Sequence, residues 1–272
     1  MTKKRKLKKE AIILIGIVGF FVIYFIAFSQ GVKMEAIPEP TPNKTNSEEE
    51  SQVPLMTQIK KNKKIYLSDE GNKSIEGVKI EEGYWEEIKY FLNEFSEVRS
   101  VDSYSALYTG YSEDGVRFST DLNFFRVYTV NKEEYYKVPV SMKQEFEKIV
   151  KESMYTSFDS VKQYKTWENV TIEYGDKTKK VSKWKYDDLA YKMVSKRMVG
   201  KVQPEKSKER SDYNFTIKIK GKNYETTVET MGKDYAKVTS QGADTYYEVH
   251  TGLFDYIKAD IFKIEEDTKE NK

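Results

Sequence analysis

YYKVPVSMKQEFEKIVKESM at 135–154 and YYEVHTGLFDYIKADIFKI at 246–264 are the stretches whose reading decides the fold. Each opens on Tyr-Tyr-X-Val, an aromatic and β-branched run suited to a strand, and then changes period. Met142, Phe146, Ile149 and Val150 recur at helical spacing in the first, as do Leu253, Ile257, Ile261 and Ile264 in the second. Pro139 followed by Ser141-Met142-Lys143-Gln144 reads as a helix start, because the Ser and Gln side chains can satisfy the first free amides. Thr251 reads as the corresponding cap. Strand then helix, met twice about one hundred residues apart, points to an internal repeat.

Working upstream, each copy holds a second amphipathic stretch with a tryptophan near its start. These are Trp85, Ile88, Phe91, Leu92 and Phe95, then Trp184, Leu189, Met193 and Val194. Between the helices lie period-two segments split by turn residues. Val116, Phe118 and Thr120 follow Asp114-Gly115, and the run Phe124 to Val130 precedes Asn131 to Glu134. The second copy has Phe215, Ile217 and Ile219, the turn from Lys220 to Asn223, Tyr224 to Thr230, Tyr235 to Val238, and the turn from Gln241 to Asp244. Sequential strands joined by short turns imply an antiparallel meander of three or four strands. Leading strands are expected at Ile75 to Ile80 and Val170 to Tyr174. The fold class that follows is α+β: two tandem modules, 64–160 and 161–266, each of helices packed on an antiparallel β-meander, with a charged tail at 267–272.

Ahead of the modules the chain changes character. Ala11 to Val32 contains no charged residue, and 18 to 22 helical residues at about 1.5 Å each match the hydrocarbon core of a bilayer. Segment 11–32 is therefore read as a transmembrane helix. The basic tail at 1–10 holds six Lys and Arg against the single Glu10, which places it in the cytoplasm and the C-terminal part outside. The competing reading is a signal peptide cut near Ala27 to Ser29, but such apolar regions usually run only about 7 to 15 residues. Residues 33–63 hold four of the six prolines and the acidic run Glu48 to Glu50, a composition that builds no core and reads as a disordered linker.

Composition then narrows the chemistry. Removing the basic tail from the net +2 leaves −3 for the remainder, which argues against nucleic acid. With no cysteine there is no disulfide, thiol catalysis or thiolate metal site, and export without disulfides suits a bacterial cell envelope. His250 is the single histidine, so every site that needs two is excluded. Neither a nucleophile elbow, nor a phosphate loop, nor a dinucleotide fingerprint is present. The carboxylate pairs Glu81–Glu82, Glu86–Glu87, Glu133–Glu134 and Asp187–Asp188 fall on polar helix faces or turns. No catalytic, cofactor-binding or metal-ligating residue is assigned.

What remains is aromatic. The chain has 21 Tyr, 14 Phe and 3 Trp, and tyrosine supplies both contact area and a hydroxyl. Tyr128, Tyr135, Tyr136, Tyr246 and Tyr247 are the candidate recognition residues, about half of which should point into a core because strand side chains alternate. The expectation is a single-pass, membrane-anchored extracytoplasmic binding or scaffold protein without a catalytic site, meeting an envelope protein, peptide or polymer. A carboxylate-based envelope hydrolase and a structural subunit of a membrane complex are the alternatives.

Overall fold

A computed structural model describes residues 53–210 and 214–264. The expected cytoplasmic tail, membrane helix, linker residues 33–52 and charged tail at 267–272 lie outside these residues, while the end of the expected linker is not disordered: Leu55–Lys61 is helical because Leu55, Met56 and Ile59 pack into the core. Among the described residues, no helix is long and apolar enough to cross a membrane.

The first half begins with helix α1 (Leu55–Lys61), which seats Leu55, Met56 and Ile59 in the core. Strands β1 (Ile65–Asp69) and β2 (Val78–Lys79) lead into helix α2 (Glu82–Asn93). Then come β3 (Ser96–Val98), β4 (Tyr108–Ser112), β5 (Arg117–Thr120), β6 (Phe124–Tyr128), β7 (Glu133–Lys137) and helix α3 (Lys143–Tyr155). The seven strands form one antiparallel sheet in the order β2-β1-β4-β5-β6-β7-β3. Helices α2 and α3 pack against each other over one face of it. Trp85, Phe91, Phe95, Phe118, Phe125 and Phe146 meet there with ring centroids 5.2–6.4 Å apart.

The second half follows through α4 (Phe158–Val161), whose cap is the Ser157 hydroxyl accepting from the Asp159 amide. Its elements are β8 (Trp167–Tyr174), β9 (Lys177–Lys180), α5 (Tyr186–Lys192), β10 (Ser195–Gly200), the short helix α6 (Glu205–Lys208), β11 (Thr216–Gly221), β12 (Glu225–Met231), β13 (Tyr235–Ser240), β14 (Ala243–Val249) and α7 (Gly252–Tyr256). These strands form a second antiparallel sheet, β10-β14-β13-β12-β11-β8-β9. Counted from β8, the order across it is second, first, fourth, fifth, sixth, seventh, third, the order of the first sheet. In both sheets a helix links the second and third strands and packs on the helix that follows the seventh.

Both meanders are therefore present, four strands each, and the tight turns fall where Gly and Asn occur. Gln241 and Gly242 have φ of 53° and 77°, the pair of positive values that a two-residue hairpin demands. Other local expectations fail. Ser141 lies inside a 3₁₀ turn, Val140–Met142, and no side chain caps α3; Thr251 likewise makes no capping bond. The expected strand at 75–80 shrinks to β2, and the sheet's first strand is β1 instead.

The last helix changes to π winding over Ile257–Phe262, and the wider turn brings Ile257, Ile261 and Phe262 into the core together. Helix α5 stops at Lys192, so Val194 is outside it. The buried stripe is Tyr186, Leu189, Ala190 and Met193, while Trp184 is 72 % exposed. Spacings of three and seven match Trp85, Ile88 and Leu92 to Tyr186, Leu189 and Met193. Matching the helices tryptophan to tryptophan therefore puts them two residues out of step.

One apolar core runs through both halves. At the junction the Tyr84 hydroxyl lies 2.6 Å from Thr245 Oγ1 and 3.2 Å from Thr156 Oγ1, and Tyr247 donates to the Thr156 carbonyl at 3.0 Å. The Phe158 ring packs edge-on against Tyr247 at 4.7 Å. Lys201, just past β10, reaches Glu87 on α2 at 2.7 Å and Glu152 on α3 at 3.0 Å.

Candidate recognition surface

Register decides which tyrosines are available. Phe118, Val127 and Glu134 sit in one cross-strand row, and Thr120, Phe125 and Tyr136 in the next, all buried under α1, α2 and α3. Tyr136 is thus a core residue, its hydroxyl donating to Glu134 Oε2 at 2.7 Å. Tyr247 is the corresponding core residue of the second sheet and is fully buried. Burial and the nearby Glu134 carboxylate push the Tyr136 hydroxyl well above the usual tyrosine range; burial does the same at Tyr247.

The opposite face of the first sheet is unlike an ordinary solvated face. Its rows read Tyr66, Tyr111, Arg117, Tyr128, Glu133 and then Ser68, Thr109, Ser119, Arg126, Tyr135. Tyr66 and Tyr111 stack with centroids 4.8 Å apart and planes 11° from parallel. The Arg126 guanidinium lies 4.3 Å from the Tyr128 ring centre and 5.7 Å from that of Tyr135. Burial opposes its charge, but the Glu133 carboxylate, 3.0 Å from Nε, outweighs that and raises its pKa. The segment 99–107 folds back so that Tyr104 packs edge-on to Tyr135 at 6.0 Å and donates to Ser119 Oγ at 2.6 Å. Desolvation raises the Tyr104 pKa strongly, so the phenol stays protonated as a donor. Arg117, flanked in register by Tyr111 and Tyr128, is exposed and has no ion-pair partner among the described residues.

The same face of the second sheet is a charge ladder. Lys218 pairs with Glu173, Lys220 with Glu225, Lys237 with Glu229 and Arg197 with Glu248. Tyr246 points outward there, beside Lys237 in register, and is half-buried. Of the five tyrosines expected to recognise a partner, the structure brings together Tyr128 and Tyr135, isolates Tyr246, and buries Tyr136 and Tyr247. Tyr66, Tyr104, Tyr111 and Arg126 were missed. Their signal is the alternation of Tyr66, Arg117 and Arg126 with buried Leu67, Phe118 and Val127.

Two aromatic rows with one free guanidinium can stack on flat faces and pair with carboxylate or phosphate groups. In the second row the Thr109 hydroxyl donates to Glu70 Oε1 at 2.8 Å. Among the described residues, no group of three His, Asp or Glu side chains is placed to hold a metal ion. His250 is exposed at the end of β14, and Glu86, Glu87 and Glu133 are each paired with a cation. An open depression of about 640 Å³ lies beside α5, lined by Asp159, Lys162, Tyr164, Asp187, Asp188 and Tyr191 among others. No protein-family model matches the chain, and neither a curated protein nor a solved structure matches it.

Proposed function

We propose that the chain is a membrane-anchored, extracytoplasmic binding protein built from two copies of one α+β module, 64–160 and 161–266, which meets an envelope partner through the outer face of its first sheet. The observation that carries the reading is an asymmetry. Two sheets with one strand order present outward faces of different chemistry, aromatic with a free arginine in the first and paired charges in the second. A face kept only for solubility needs charge, as the second has; stacked tyrosines around arginine are the composition of a contact surface. The apolar stretch 11–32 supplies the anchor and the proline-rich segment the spacer.

A photoreactive residue placed at Tyr111, Tyr128 or Tyr135 in the full chain, with Thr227 and Tyr246 of the second sheet as controls, tests this in cells. Adducts from the first face alone are expected. Equal labelling from both faces, or from neither, sinks the assignment. Protease added to intact cells should digest 64–266, and protection lost only on lysis overturns the orientation.

A further inference from the structure

The second sheet has a basic rim at β9, the edge opposite β10. Strand β9 (Lys177–Lys180) runs into the 3₁₀ turn Lys183–Lys185 ahead of α5, and residues 177–185 read KTKKVSKWK, five lysines with no acidic residue between them. The carboxylates nearest in sequence are Asp176 before the run and Asp187 and Asp188 after it. Lys177, Lys180, Lys183 and Lys185 have no ion-pair partner among the described residues, and the first three are exposed. Lys179 is held otherwise: its Nζ donates to the Ile261 carbonyl at 2.6 Å and lies 5.2 Å from the Phe262 ring centre. Lys263, the residue after Phe262, is exposed.

The fold does not demand this composition. Lysines on an edge strand keep other strands from pairing with it, which accounts for Lys177 and Lys180. It does not account for Trp184, which is 72 % exposed with the Lys185 ammonium 5.1 Å from its ring centre. In the first half, the stretch between the edge strand and the helix reads Ile80-Glu81-Glu82-Gly83, against Val181-Ser182-Lys183-Trp184 in the second. Two sheets of one strand order thus differ there in the sign of the charge and in the size of the side chain.

We propose that this rim, Lys177 to Lys185, docks on the surface of an anionic lipid bilayer with the Trp184 indole entering it. Ammonium groups on long stems follow a diffuse negative surface without a fixed geometry, and each contributes roughly fivefold to partitioning there. An indole settles at headgroup level, its ring against the acyl chains and its N–H toward water. Charge therefore selects an anionic partner, and the exposed ring selects a bilayer over a soluble polyanion. Beyond the basic tail the chain is net −3, so the attraction is confined to the rim and docking sets an orientation. The first half joins at the opposite edge, where Lys201 after β10 meets Glu87 and Glu152, so the docked protein keeps the tyrosine face of its first sheet free. An anchor at 11–32 raises the local concentration of lipid but is not needed for the recognition itself.

Tryptophan emission tests this directly. Trp85 and Trp167 are core residues, 1 % and 5 % exposed, and segment 11–32 has no tryptophan, so Trp184 is the indole placed to meet lipid. The full chain is reconstituted in vesicles of phosphatidylglycerol and phosphatidylcholine with brominated acyl chains, which quench an indole that enters them. Quenching is expected in the anionic vesicles, lost in high salt, lost in pure phosphatidylcholine and absent from Trp184→Phe. Lys180→Ala with Lys183→Ala should weaken docking about 25-fold, roughly fivefold for each ammonium, whereas Lys180→Arg with Lys183→Arg should retain it. Equal quenching in pure phosphatidylcholine, quenching that survives Trp184→Phe, or none in the anionic vesicles overturns the proposal. If polyglycerol phosphate shields Trp184 from acrylamide while the bilayer leaves it unquenched, the rim serves a soluble polyanion and lipid docking is wrong. Flotation in high salt reads the anchor separately. A chain that floats there but is unquenched at low salt keeps the anchor and loses the docking; one quenched at low salt that no longer floats in high salt keeps the docking and loses the anchor.

Discussion

Glu134 shows how one side chain ties an element in place. Its carboxylate is buried, which opposes ionisation, yet Lys132 at 2.7 Å, the Tyr136 hydroxyl and the amides of Leu55 and Met56 hold its pKa below the usual glutamate range. A carboxylate whose folded pKa is depressed contributes its stability in full above the unfolded value and loses it as pH falls through the folded one. The contribution is thus complete at neutral pH and is lost in the acid window that opens below the ordinary glutamate range. Hydrogen exchange should show α1 amides losing protection in that window before those of β11 to β13, and Glu134→Gln should remove the pH dependence; equal loss everywhere refutes it. At the junction, Tyr84→Phe removes one hydroxyl from a buried network in which Thr156 and Thr245 still bond each other at 2.7 Å. About 1 kcal/mol of lost stability is expected in denaturant titration.

At the level of elements, β4 depends on a close approach. Gly110 lies under the Phe118 ring, and a Cβ there would come within 2.6 Å of the Tyr66 carbonyl oxygen. Neither the ring, packed between Trp85 and Phe125, nor the backbone of β1 can yield cheaply. Gly110→Ala should cost about 1–3 kcal/mol by overpacking. It should also disturb the Tyr66–Tyr111 stack on the outer face, read as reduced photo-adduct yield at Tyr111. Legibility differs between elements for the same kind of reason. The meanders follow from alternation and turn residues, both local. Strands β3 and β10 are short or charged, and only pairing with the far end of the meander makes them strands. Trp184 misleads because a tryptophan reads as core, whereas the helix stripe is set by Tyr186, Leu189 and Met193.

For the whole molecule, the continuous core and the Lys201 ion pairs predict that both halves unfold together. Lys201→Ala leaves Glu87 and Glu152 facing each other beside Tyr84. The lysine is partly exposed, so its loss should cost only about 1–2 kcal/mol, reduced by solvent screening. Combined with Tyr84→Phe, it should split one calorimetric transition into two. Two transitions in the unaltered chain would contradict a shared core.

The sequence by itself determined the apolar stretch 11–32, the α+β class and the two meanders with their turns, because hydrophobic period and turn chemistry act over a few neighbouring residues. Tertiary structure alone decided the matching strand orders and the placing of Tyr136 and Tyr247 in the core. It also gathered Tyr66, Tyr111, Tyr128, Tyr135 and Arg126 on one surface. Each of these depends on which strand pairs with which and in what register, and a shift of one residue turns every side chain to the other face.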